Sequence, residues 1–312
     1  MYGIDSFTKF LLHCDGSDTS TTFTDSGVTG HTVTAVGNAQ IDTAQSKFGG
    51  ASGLFDGAGD YLTIPNHADF AFGSGNFTVD FWVRFSVLPT SGNFAAFYGR
   101  DVSTHDLQLD VQNSSGTYTL RFIPYISGAK LVVNATWAGV STGTWYHIAF
   151  VRSGSSWYAF VNGTQLGSTG SQSGTLDTTS DVISIGRHTG ASTRELNGWL
   201  DEFRIPKGVA RWTANFTSPA SAYTIPNPAV LTLRQVDFAG VENRFDIDSL
   251  LPYPSQEGSP VAEEITIDKW YRAPVIPTLP FDIFPEFPAS SIIPAAVITP
   301  ADFAYTGTLS FE

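Results

Sequence analysis

The sequence predicts an all-β protein, in which two antiparallel sheets stack as a sandwich and an extended, proline-rich arm follows. Three observations carry this expectation. Apolar and polar residues alternate in short runs, which gives each run one face for a core. Clusters of Gly, Asn and Ser separate the runs, and no helical period lasts longer than a turn. The third is a change in composition after Tyr223, since 12 of the 17 prolines lie between Pro226 and Pro300.

The strand candidates are, in order, residues 10–14, 31–36, 53–55, 61–64, 77–85, 94–98, 107–111, 118–123, 130–136, 145–152, 157–161, 182–185 and 198–204. The run at 77–85 is the clearest, with Phe77, Val79, Phe81, Val83 and Phe85 alternating with Thr78, Asp80, Trp82 and Arg84. In the run at 145–152, Ile148 and Phe150 alternate with His147, Ala149 and Val151. A break at Ser153-Gly-Ser-Ser156 follows, and the next run ends in Asn162-Gly163, the dipeptide most favoured in tight hairpins. Thirteen short strands at this spacing indicate two stacked sheets.

Composition bounds the function. Over 312 residues, 42% are hydrophobic, enough to fill a core, and only 14% are charged. The net charge of −13 argues against nucleic acid as a partner, because phosphate recognition needs clustered Lys and Arg. The single cysteine, Cys14, has no internal partner and reads as a small apolar residue on the first strand. Residues 1–12 lack the basic region, sustained apolar run and cleavage site of a secretory signal, and no apolar run approaches the roughly 18 residues of a membrane-spanning helix. The expectation is a protein made in a host cytoplasm, with no membrane insertion.

Several motifs occur in one order: Lys47-Phe-Gly-Gly-Ala-Ser-Gly-Leu-Phe-Asp-Gly-Ala-Gly-Asp-Tyr-Leu-Thr-Ile-Pro65, the strand at 77–85, Gly143-Thr-Trp-Tyr-His-Ile-Ala149, Val161-Asn-Gly163, Ile183-Ser-Ile-Gly-Arg187 and Leu196-Asn-Gly-Trp-Leu-Asp-Glu-Phe-Arg-Ile205. In this they resemble the laminin G-like branch of the concanavalin A-like jelly-roll superfamily. The resemblance covers roughly residues 10–223 and implies a jelly roll whose first and last strands pair. It does not fix the function, since members serve as sugar-binding modules, adhesion domains, accessory domains of hydrolases and parts of phage particles.

The resemblance also directs attention to particular side chains. Laminarinase-type hydrolases on this fold carry Glu-x-Asp-x-Glu on one strand. Here residues 1–223 contain only Glu195 and Glu202, neither in that pattern, and the strand at 107–111 offers only Asp110. No catalytic residue is assigned. His13, His31, His67, His105, His147 and His188 show no local metal spacing. The fold often holds a structural Ca²⁺, for which Asp15, Asp18, Asp56, Asp60 and Asp201 are the candidates, with Asp15 and Asp201 favoured by the expected strand pairing. The competing reading of Asp56-Gly57 and Gly59-Asp60 is that they make tight turns. For a glycan, the candidates are Tyr98, Asn113, Tyr125, Trp137 and Arg187, with Trp137 expected near solvent ahead of a turn.

Residues 224–312 combine prolines that forbid helix and central strand with Ile, Phe, Leu and Val that a solvated linker lacks. Short strands are expected at residues 230–236, 245–250 and 263–271. An apolar extended arm of this kind needs a partner surface. The combined expectation is a non-enzymatic protein of a virion surface, decorating a capsid or tail or adhering to host glycans. It would be anchored to other virion proteins or to copies of itself through residues 226–312. A cellular carbohydrate-binding or adhesion module is the alternative, and a divergent glycoside hydrolase is disfavoured by the missing carboxyl pair.

Overall fold

A computed structural model describes residues 3–100, 107–126, 129–131, 133–177, 180–188 and 194–224, together with four short strands further on. The chain divides into two units, Met1–Pro226 and Asn227–Glu312.

The first unit runs through β1 (Thr8–Leu12), β2 (Thr34–Val36), β3 (Gln40–Asp42), β4 (Ser52–Asp56), β5 (Tyr61–Ile64) and a single 3₁₀ turn at Ala68–Phe70. It continues through β6 (Phe77–Phe85), β7 (Phe94–Arg100), β8 (Leu107–Ser114), β9 (Thr117–Ile126), β10 (Ala129–Lys130) and β11 (Val133–Thr136). It closes with β12 (Trp145–Ser153), β13 (Ser156–Val161), β14 (Thr164–Gln165), β15 (Gly170–Ser171), β16 (Ile183–Ile185) and β17 (Asn197–Pro206).

These strands form the expected all-β antiparallel sandwich. The first sheet has the order β14-β13-β12-β6-β17-β4-β3, with β1 beside β17 and β15 beside β13. The second has the order β10-β9-β8-β7-β16-β5-β2, with β11 beside β9. The first and last strands pair as the resemblance implied, Phe10 opposite Ile205 and Leu12 opposite Phe203. Asn162 and Gly163 both adopt positive φ, at 49° and 76°, the mirror-image turn that matches strand twist, and they join β13 to β14.

The alternation read from the sequence sets the core. Phe77, Val79, Phe81, Val83 and Phe85 point inward from β6, and Ile148 and Phe150 from β12. Leu109, Val111, Leu120, Phe122, Ile183 and Ile185 meet them from the second sheet. Phe81 stacks on Phe203 with ring centroids 5.0 Å apart, and Phe122 meets Phe150 edge-on at 5.2 Å. Full burial of side chains of this kind contributes roughly 1.5–3 kcal/mol each, so this layer dominates the stability.

Two differences from the sequence reading have physical causes. The stretch at 31–36 is strand only over Thr34–Val36, because the His31 amide instead donates to the Asp25 carboxylate in a loop. Gln40–Asp42 forms an additional strand, since Ile41 buries completely while Gln40 and Asp42 pair with β4.

Within the second unit, β18 (Arg234–Val236) pairs with β19 (Arg244–Asp246), and β20 (Thr266–Ile267) pairs with β21 (Gly307–Thr308). The first three lie within or beside the stretches expected to be strands. The rest of the arm lies outside the described residues.

Candidate functional site

A sandwich has two outer faces, and the chain treats them differently. On the first sheet, Thr78, Asp80, His147, Ala149, Val151 and Arg204 face away from the core. The chain leaving β17 returns across them. Trp212 and Phe216 stack at 4.0 Å and pack with Ala149, Val151 and Phe160, which forms a second apolar cluster. Beneath this cover, Arg204 holds Asp80 through two nitrogens at 3.1 and 3.2 Å, and the Tyr223 hydroxyl donates to the same carboxylate. The Arg204 guanidinium lies 3.6 Å over the Tyr223 ring.

Asp80, His147 and Arg204 are fully buried. Burial pushes the Asp80 carboxyl up, but the Arg204 charge, aided by His147 and the Tyr223 hydroxyl, overrides it and leaves Asp80 below the usual aspartate value. Burial lowers His147 and raises the Tyr223 hydroxyl well above its ordinary value. This constellation is closed to solvent, so it serves structure.

The outer face of the second sheet has a different chemistry. Cross-strand register puts Gln108 beside Ile123, Asp110 between Ala96 and Arg121, and Gln112 between Phe94 and Thr119 on that face. Arg121 donates to both oxygens of Asp110 at 2.5 Å, and the Gln108 amide donates to Asp110 as well. The Arg121 and Arg194 guanidinium groups each lie 4.3 Å from the Phe94 ring centre. Tyr125 follows Arg121 and Ile123 on the same face, and burial raises its hydroxyl. Burial lowers Arg194, against the pull of Asp110. The centre of this face is closed, with Asp110, Ala96, Ile123 and Gln108 buried and the Arg121 side chain only 11% exposed, so it is the partly exposed edges of Phe94, Arg121, Tyr125 and Arg194 that remain within reach of a ligand.

The expected glycan residues do not converge. Tyr98 is fully buried on the core side, opposite Leu109, because a register shift between Ala96 and Tyr98 turns it inward. Trp137, expected near solvent, is 4% exposed and packs edge-on against Tyr146 and Phe85. Asn113 is buried and braces a turn, donating to the Pro89 carbonyl and accepting from the Gly116 amide. Arg187 sits 4.6 Å over the Tyr61 ring and 3.8 Å from Glu195. Of the five, Tyr125 alone shares the face with Asp110 and Arg121. Phe94, Gln108, Arg121 and Arg194 were missed by sequence reasoning. Pairing the two strands around Ser115-Gly116 would have set Arg121 against Asp110, whereas Arg194 carries no sequence signal.

The aspartates divide as well. Asp56 accepts from the Ala58 amide and Asp60 from the Asp56 amide, which is the turn reading, and Asp60 also accepts from the Asn38 amide of a separate loop. Asp18 accepts from the Thr43 amide. Asp201 is buried, and its Oδ2 accepts from the Lys47 and Phe48 amides at 2.8 and 3.0 Å, while its Oδ1 has no hydrogen-bond partner among the described residues. Burial, with the charges of Glu202 and Asp15, pushes Asp201 up to about 7. Gly49, at φ 64°, borders Asp15 so closely that a Cβ there would collide with its carboxylate. An orphaned buried carboxylate oxygen near a second carboxylate fits a bound cation, so Asp15 and Asp201 could hold calcium and the other three are occupied by backbone amides.

Two carboxyls poised for general acid and base work are not found among the described residues of the second-sheet face. Asp110 is taken up by Arg121 and Gln108. Glu195 accepts from the Gly59 amide, and Glu202 from His13 and the Tyr223 amide.

Comparison with known proteins agrees with this architecture. The binding domain of Paraclostridial Mosquitocidal Protein 1 superposes with a TM-score of 0.50 at 14% identity, over 66% of this chain and 50% of that one. The binding domain of botulinum neurotoxin serotype D gives 0.50 at 15% identity, over 66% of this chain and 49% of that one. Domain 4 of AbnA, an extracellular arabinanase from Geobacillus stearothermophilus, in complex with arabinotriose, gives 0.49 at 19% identity, over 65% and 93%. The chain thus spans about half the length of the two toxin domains, and at these identities the likeness is one of fold. No curated protein matches the sequence. The model for concanavalin A-like lectins and glucanases matches residues 56–211, half of the 312-residue chain. With the sandwich and its strand order on hand, this chain belongs to the concanavalin A-like lectin/glucanase superfamily, on its laminin G-like branch.

Proposed function

We propose that this protein is a non-enzymatic binding protein of a virion surface, which presents the outer face of its second sheet to a glycan and is anchored by residues 226–312. One observation carries the glycan reading. The second-sheet face, closed at Asp110 and Gln108, keeps the edges of Phe94, Tyr125, Arg121 and Arg194 partly exposed side by side. Aromatic rings offer a stacking surface to the C–H face of a sugar, and fixed guanidinium groups donate to its hydroxyls or carboxylates. The anchoring reading rests on the apolar, proline-rich composition of the arm, whose partners would be other virion proteins or further copies of the chain. Calcium, where bound, would sit between Asp15 and Asp201 and fix the loop at residues 45–50 against β17.

The test is binding of the purified chain to a panel of host-surface glycans, alongside Tyr125→Ala with its melting curve as a control of folding. The expected result is at least a tenfold weaker interaction for the variant with an unchanged fold. Failure of every glycan to bind would remove the adhesion role. Absence of the protein from purified particles, judged by labelling and imaging, would remove the virion role.

A further inference from the structure

We propose that His31, His67 and Asp69 form a binding site for a divalent transition-metal ion of the zinc class, clipping the loop ahead of β2 to the turn after β5. The three side chains come from the two ends of a 39-residue stretch, and their donor atoms lie within 4.8 Å of one another. Asp69 Oδ2 is 3.1 Å from His31 Nε2 and 3.2 Å from His67 Nδ1. Tetrahedral zinc with bonds of about 2.0–2.1 Å to nitrogen and oxygen separates its ligands by about 3.3 Å, so two edges of the polyhedron are already in place. The third closes by adjustment of the exposed His67 ring.

Hydrogen bonding cannot satisfy both contacts of His67 Nδ1 at once. His67 Nδ1 accepts from the Asp69 amide at 3.2 Å, as the N-cap of the 3₁₀ turn, and so presents a lone pair. Asp69 Oδ2 also presents lone pairs, and it faces that nitrogen at 3.2 Å. Two acceptors directed at one another repel unless a proton on Nδ1, which forfeits the amide contact, or a metal ion lies between them. A metal satisfies the side-chain contact at the cost of the same long amide contact, and it also engages His31, which a proton on His67 does not.

The surroundings suit a held ion. The His31 side chain is 6% exposed and wedged between Phe10 and Phe70, which fixes its ring. Thr29 donates to Asp69 Oδ2 at 2.6 Å and orients the carboxylate from outside. His67, 47% exposed, faces solvent, so a fourth position is open to water. Two imidazoles and one carboxylate select zinc, copper or nickel over calcium, which takes oxygen ligands.

The experiment uses the untagged full-length chain, stripped with chelator and titrated with Zn²⁺ by calorimetry, and with Co²⁺ by visible absorption. His67→Asn is the variant, because Asn retains the N-cap while removing the imidazole. The expected result is one saturable Zn²⁺ equivalent, weakened at least about tenfold in the variant, a Co²⁺ spectrum that the variant lacks, and no competition by Ca²⁺. Absence of saturable binding, an unchanged affinity in His67→Asn, or displacement by equimolar Ca²⁺ would each overturn the assignment. Should the variant fail to fold, NMR of the wild-type histidine rings decides. Zinc must shift His31 and His67 together and leave His13 and His147 in place, and any other pattern rejects the site.

Discussion

The cover over the first sheet makes a sharp prediction at Tyr223. Replacing it with Phe keeps the ring beneath Arg204, 3.6 Å from the guanidinium, and removes only the hydroxyl that donates to Asp80. Asp80 is fully buried and Tyr223 is 2% exposed, so water has little access to replace the lost donor. A hydrogen bond to a charged group contributes about 1.5–3 kcal/mol, and that is the expected loss at pH 7. For a domain of this size each kcal/mol moves Tm by about 2–4 °C, giving a drop of about 3–12 °C.

The pH dependence supplies a second signature of the same change. The folded Asp80 lies below the ordinary aspartate value of 3.8, so its contribution is present above that value and is lost as pH falls through the folded one. Without the hydroxyl the folded value rises toward 3.8, and the gap between wild type and Tyr223→Phe should narrow as the medium becomes more acidic than this. Chemical denaturation of both proteins at neutral and acidic pH measures it. A deficit below about 0.5 kcal/mol at pH 7, within the range of ordinary surface changes, or one that widens on acidification, would refute the reasoning.

Two further predictions follow from the same geometry. Asp201 rises to about 7 from an ordinary 3.8, so its ionisation destabilises the calcium-free fold as pH climbs through that interval, and Asp201→Asn should raise the unfolding free energy at pH 8 by at most about 4 kcal/mol, and Tm with it. Added calcium should stabilise the wild type and leave Asp201→Asn unmoved; wild-type melting curves that coincide with calcium and with chelator would dismiss the ion there. A chain ending at Thr224 should melt cooperatively but fail to enter particles, whereas one ending at Arg211 should not fold, because Asp80, His147 and Arg204 lose their cover. Normal assembly of the first, or a wild-type melt from the second, would contradict this.

What the sequence revealed was local. The alternation in Phe77–Phe85 specified a strand with one buried face, and Asn162-Gly163 specified a turn, because both depend on neighbouring residues alone. Tyr98 shows where this ends. Counting by twos from Phe94 and Ala96 puts it on the outer face, and the register shift before it sends it to the core, a shift that only pairing with β8 discloses. Trp137 was open to a better reading, since Val133 and Ala135 alternate inward ahead of it and it continues their face. His31, His67 and Asp69 meet only because two loops approach one another, and no spacing rule reaches across 36 residues.

The same limit governs where the domain ends. The family match stops at residue 211, and the residues that cover the first sheet, Trp212, Phe216 and Tyr223, all lie beyond it. What calls for that cover is a bulge in the last strand. Glu202 adopts a positive φ of 51°, and the register against β6 shifts between Asp201 and Arg204. The extra residue brings Asp201 and Arg204 to the same outer face with Glu202 between them. Asp201 then reaches the amides of Lys47 and Phe48, Arg204 reaches Asp80, and Glu202 accepts from the Tyr223 amide. One irregular residue therefore ties the loop before β4, the central strand β6 and the returning chain together.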